Sequence, residues 1–240
     1  AYQPRGLLLT GFDRSESSRR MIESSNVPCV YMMELDAAEG LNCVGFSQLQ
    51  AGETAARHLI SRGRRHLAYI GAQLDQRTLL RGEGYRRTLQ EAGLYNPDLE
   101  VLTPRPSSVG LGGELFLQLL ASHPQVDAIF FGNDDLAQGA LLEASRIGIK
   151  IPEQIAVLGF NDLPSSEFMV PRLSSIRTPR EAIGRRAAEQ ARQQIEQRLR
   201  LVRDRRPGGD ALAEGAAGRS RTGPRSSAAA KKPFFGTAYR

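Results

Sequence analysis

Tryptophan is absent from this chain, and among its 240 residues there are only two cysteines, three histidines and four methionines. Each shortage excludes something. Cys29 and Cys43 both sit inside apolar runs, so they read as reduced core thiols rather than a disulfide framework. His58, His66 and His123 are scattered, which argues against a metal centre or a Ser-His-Asp type triad. The longest apolar runs, such as Gly6 to Leu9, fall far short of a membrane span. No leader-like segment is visible, although the chain opens abruptly inside a strand-like pattern. Gly110 to Gly113 is not a phosphate loop, because no Gly-Lys-Ser/Thr follows it. No internal repeat is found.

Charge of one sign is also lacking over most of the chain. The net +6 suggests a nucleic-acid binder until it is located. Nine of the 32 bases and three of the 26 acids lie in residues 203–240, leaving 23 bases and 23 acids that cancel. The basicity therefore belongs to a tail rich in Arg, Gly, Ala, Ser and Pro. Residues 201–240 read as a disordered or non-native end. Any nucleic-acid binding by that tail is expected to be weak and non-specific.

What is present is strand and helix in alternation, the pattern of a parallel, helix-flanked sheet. Predicted strands cover 7–10, 28–33, 42–46, 66–71, 101–102, 128–131, 155–158 and 173–177. Predicted helices cover 15–25, 50–62, 79–92, 112–122, a segment following Asp135 and ending at Gly148, and 179–200. The richest segment runs from Val126 to Asp162. Ala128 to Phe131 is wholly apolar, as a strand buried on both faces should be. Gly132-Asn133-Asp134-Asp135 breaks it, and Asp134 or Asp135 is expected to cap the next helix. Ile155 to Leu158 is a second buried strand, broken by Gly159-Phe160-Asn161-Asp162. Polar residues then lie at the carboxyl ends of both strands, the edge where open α/β sheets bind ligands.

Three segments together resemble the effector-binding domain of the LacI/GalR family of bacterial transcription regulators. They are Val44 through Ala51-Gly52-Glu53 to Gly71, then Arg81-Gly82-Glu83-Gly84-Tyr85, then the β-α-β unit continuing to Pro171-Arg172-Leu173-Ser174-Ser175-Ile176. The likeness covers roughly residues 4–200. Arg64 stands where the family usually has His. Within the family, Leu74 to Thr78 and Asn133 to Ala137 look most like the gluconate-utilisation repressors. The family begins with a helix-turn-helix headpiece, a hinge helix and a first β-α-β-α unit, and none of these precedes Ala1. Its last strands are replaced by the tail.

The resemblance implies an α/β fold of two Rossmann-like lobes of periplasmic-binding-protein type, with an incomplete N-terminal lobe. That lobe is expected to comprise 1–46 and 178–200, and the effector-binding lobe 47–177, with crossings near Phe46 and Ile176 to Thr178. The implied ligand is a small sugar or sugar acid, gluconate-like, held in the interlobe cleft. Arg81 matches the family arginine that points into the cleft, and its fork of donors suits a carboxylate. Arg77 is a second cation for an acidic sugar, or a loop residue. Asn133 matches the family's cleft asparagine, with an N-cap as the structural alternative. Asp134, next to it, is counted with the ligand set as well as among the caps. Asn161 stands where many relatives carry aspartate, and the lost charge favours an anionic ligand, with a turn residue in Gly159-Phe160-Asn161-Asp162 as the structural alternative. No chemistry on the ligand, no cofactor and no metal are expected. The implied setting is cytoplasmic, as a homodimer that meets operator DNA only through the missing headpiece, with no membrane partner. The alternative is a solute-binding protein of a transport system with the same fold.

Overall fold

In the computed structural model, residues 4–35 and 41–204 are described. Two parallel sheets carry the chain. The first has three strands in the order β1 (Leu7–Thr10), β2 (Cys29–Met32), β3 (Cys43–Val44), with helix α1 (Glu16–Ser24) joining the first two. The chain then passes into a second sheet through α2 (Gln48–Ser61). Its strands are β4 (Leu67–Ala72), β5 (Glu100–Thr103), β6 (Ala128–Phe131), β7 (Ala156–Asn161) and β8 (Ser174–Arg177). They are ordered β5-β4-β6-β7-β8, all parallel. Helices α3 (Gln76–Glu91), α4 (Val109–Ser122) and α5 (Asp134–Ile147) connect them, and α6 (Arg180–Asp204) returns to pack on β1 to β3.

The apolar runs in the sequence become the central strands for the expected reason. Every residue of β4 and β6 is buried, because helices cover both faces of the sheet. One core lies on the α4–α5 side, around Phe116, Ile129, Phe131 and Leu136, and another on the α2–α3 side, around Tyr69, Tyr85, Phe130 and Phe160. The helices of each pair meet at backbone distance. A Cβ on Gly52 would fall 1.9 Å from the Arg81 carbonyl, and one on Gly84 2.0 Å from the Leu49 carbonyl. Only glycine permits this crossing of α2 and α3, and the crossing fixes where Arg81 sits.

Three helices begin two or three residues earlier than their apolar periodicity indicates. Ser47, Asp75 and Ser108 each accept a hydrogen bond from the amide three residues on, so α2, α3 and α4 start at Gln48, Gln76 and Val109. Strand β7 runs past the predicted Leu158 to Asn161, and β5 is longer at both ends than predicted. Asn133, not Asp134 or Asp135, caps α5, with its side chain accepting from the Leu136 amide. The last helix does not stop at Arg200 but continues to Asp204, so Leu201 and Val202 belong to it rather than to a tail. The rest of the predicted tail, 205–240, lies outside the described residues.

Candidate interlobe ligand site

The carboxyl ends of the two sheets face one another across the start of α3. Asp13, just after β1, accepts a hydrogen bond from the Gln76 amide at 3.2 Å. Arg77 pairs with Asp75 on its own lobe at 2.8 Å and reaches Glu34, after β2, at 3.8 Å. Gln48 donates from Nε2 to the Met33 carbonyl at 3.0 Å. The small sheet thus contributes acids and a carbonyl, and the large one contributes arginines.

Arg81 lies in the second turn of α3, not at the helix start the sequence suggested, and is only 7% exposed. Nη1 donates to Gln48 Oε1 at 2.6 Å and Nη2 to Thr78 Oγ1 at 3.2 Å. The guanidinium lies over the Phe160 ring, 4.2 Å from its centroid. Its Nε–H is buried without an acceptor. No ion pair within 4 Å joins it to a carboxylate among the described residues. Burial pushes its pKa down, and the nearby Tyr69 and Asp75 offset that only in part. Below it, the Tyr69 hydroxyl donates to the Thr78 carbonyl at 2.8 Å, and burial drives that phenol up to about 12, so it stays a donor.

The other sequence candidates are placed as follows. Asn133 stands at the carboxyl end of β6, and its Nδ2 donates to Ser107 Oγ at 2.7 Å besides the capping bond. Asn161 ends β7, directly after the Phe160 that carries Arg81, in the left-handed region at φ 116°. Asp134 is fully buried, and its carboxylate accepts from the Leu163 amide, Ser166 Oγ and Ser175 Oγ at 2.6 to 3.0 Å. A Cβ on Gly159 would come 2.3 Å from its Oδ1. Protein donors occupy the oxygens, so Asp134 ties β8 and the turn after β7 to α5. That removes it from the ligand set. The structure therefore gathers Arg77, Arg81 and the end of β7 in one place, while Asn133 is held by Ser107.

Sequence reasoning missed Gln48, Glu34, Thr78 and Phe160. Glu34 carried a usable signal, a lone acid closing an apolar strand. Gln48 carried none, because a glutamine in the first turn of a helix is commonplace. A wide groove of about 820 Å³ opens elsewhere, between Leu163, Arg172, Leu173 and the start of α6. Three of its four arginines are already engaged, Arg177 with the Asp162 carboxylate, Arg180 with the Asp162 carbonyl and Arg185 with Glu181. All four are exposed, whereas Arg81 is buried. Among the described residues there is no cluster of metal-ligating side chains, and no helix is long and apolar enough to cross a membrane.

Two opposed parallel sheets with ligand-competent carboxyl edges define a class, and residues 56–212 match the family model described as a periplasmic binding protein-like domain. The chain belongs to that family, as an effector-binding domain of the LacI/GalR type. It is 80% identical over 190 residues to the HTH-type transcriptional regulator GntR of Pseudomonas aeruginosa, covering 79% of this chain and 55% of that protein. It is 38% identical over 184 residues to the GntR regulator of Escherichia coli K12, covering 77% and 55%. Among solved structures, the transcription regulator GntR from Chromobacterium violaceum superposes with a TM-score of 0.77 at 44% identity, over 80% of this chain and 71% of that one. The chain spans about half the length of the curated relatives it matches.

Proposed function

We propose that this chain is the effector-sensing part of a LacI-type transcriptional repressor, and that its effector is a gluconate-like sugar acid bound between the two sheets. The observation that carries this reading is Arg81, a buried guanidinium with hydrogen-bonding neighbours but no carboxylate partner. Burying a cation with no carboxylate in contact is costly, and a carboxylate from a ligand would reduce that cost with a charge-assisted bond. Arg77 is the weaker cation, since Asp75 and Glu34 already hold it. Asn161 adds a polar group without a repelling charge. The name of the ribose operon repressor of Escherichia coli K12, 32% identical over 187 residues, is in keeping with a small polyhydroxy ligand.

In this reading ligand binding favours one arrangement of the lobes over another, and the difference in affinity is what shifts the population. The whole protein would act as a homodimer in the cytoplasm. Operator recognition would lie outside residues 4–204. No cofactor and no chemical step are proposed.

Calorimetric titration tests the charge argument directly, since the chain contains no tryptophan to report binding. Gluconate is expected to bind well and glucose much less well. Equal affinities would reject the reading.

A further inference from the structure

Gln48 does two things that no other described side chain does. Its Oε1 accepts from Arg81 Nη1 at 2.6 Å, and its Nε2 donates to the Met33 carbonyl at 3.0 Å. It is 1% exposed, so neither bond is shared with bulk water. Only one orientation of the amide satisfies both partners, because a guanidinium can only donate and a carbonyl can only accept. Met33 directly follows β2 of the three-stranded sheet, and Arg81 belongs to the α3 helix of the five-stranded one. A neutral side chain therefore bridges the two sheets and aims the guanidinium.

The neutrality matters. A carboxylate at the same place would hold Arg81 more strongly, in a charge-assisted pair. It would also cancel the charge that a ligand has to find. Glutamine fixes the guanidinium geometrically and leaves its charge open, with the Nε–H still unpartnered. We propose that Gln48 is the specificity-determining residue of the site, positioning Arg81 while keeping it available to an anionic ligand. The inference rests on the sugar-acid reading above and adds the residue that sets its charge selectivity.

The test uses the chain with D-gluconate and its neutral isostere D-gluconamide as probes, titrated calorimetrically against wild type, Gln48→Glu and Gln48→Met. Folding is checked by circular dichroism and thermal melting. Wild type should prefer gluconate. Gln48→Glu supplies Arg81 with an internal counter-ion, so gluconate affinity should fall roughly ten- to a hundred-fold, the range of one charge-assisted contact, while gluconamide changes far less. Gln48→Met loses the aim but not the open charge, so gluconate should bind at an intermediate affinity. A purely structural role for Gln48 would weaken both probes together and leave their ratio alone. A folded Gln48→Glu variant with the wild-type ratio overturns the proposal. If that variant does not fold, Gln48→Met decides, and unchanged gluconate affinity in it overturns the proposal equally. Failure of wild type to bind gluconate at all would instead sink the functional reading on which this one rests.

Discussion

The two sheets differ in how they are held together and in what they bring to the cleft. In the five-stranded sheet the central strands β4 and β6 are buried throughout, and Phe130 packs in a triangle of rings with Tyr69 and Tyr85, its centroid 5.4 Å from each and theirs 5.9 Å apart. In the three-stranded sheet only Val30 is fully buried, and α1 buries none of its residues. The small sheet leans on α6, through Ala187 and Ala191 packed against Val30. At the cleft, the large sheet supplies the cations, Arg77 and Arg81, and the small one supplies Asp13, Glu34 and the Met33 carbonyl. The lesson is that the well-packed lobe carries the strained electrostatics. A buried guanidinium with no carboxylate in contact has to be held by a framework that cannot relax around it.

The largest expected effect is on that framework. Phe130→Ala should destabilise the chain by about 3–5 kcal/mol, as large aromatic truncations in packed cores do, measured by urea unfolding. Val30→Ala in the small sheet should cost roughly 1–2 kcal/mol, since only two methyl-sized groups leave. Equal costs for the two variants would erase the distinction between the lobes.

Arg81→Ala comes next, and acts on binding rather than folding. The variant should remain folded, because a buried unpaired cation is removed rather than created. Its gluconate affinity should drop by about ten- to a hundred-fold, corresponding to roughly 1.5–3 kcal/mol. Arg77→Ala should do less, because Asp75 and Glu34 already neutralise that side chain. If Arg77→Ala proves the more damaging, the roles of the two arginines have been assigned the wrong way round.

The smallest effect is a pH slope. Burial raises the Asp134 carboxyl pKa above its ordinary 3.8, outweighing the bonds from Leu163, Ser175 and Ser166 that favour the charge. A folded acid with a raised pKa keeps its proton longer than the unfolded one. Its contribution is therefore most favourable below 3.8 and is lost as pH rises from there through the folded value. Subtracting the stability of Asp134→Asn from that of wild type across mild acid should give a difference that declines with rising pH. A flat or rising difference would mean that the hydrogen bonds, not burial, govern this group.

Element order was legible in the sequence because buried parallel strands leave unbroken apolar runs, Gly132 follows one of them, and Gly148 marks the end of α5. Helix starts were legible only in part. Ser47, Asp75 and Ser108 cap the backbone with side chains that lie ahead of the apolar face, so periodicity begins two or three residues too late. The same blindness put the α5 cap on Asp134 or Asp135, with Asn133 only as the alternative. Asn133 has extended backbone and presents its amide to Leu136, whereas Asp134 turns inward to donors 29 to 41 residues away.

By itself the sequence determined a parallel α/β chain, its neutral charge outside the tail and the polar carboxyl edges of β6 and β7, while Arg81 was marked only by the family resemblance. Local pattern suffices for the first three because burial period, turn residues and charge are properties of neighbours in the chain. Only the tertiary structure decided that Arg81 has no acid partner, that Gln48 bridges it to Met33, and that Asp134 is a structural tie. Those facts depend on which groups meet across 15 to 41 residues of chain, and on which charges burial leaves without water or a carboxylate in contact.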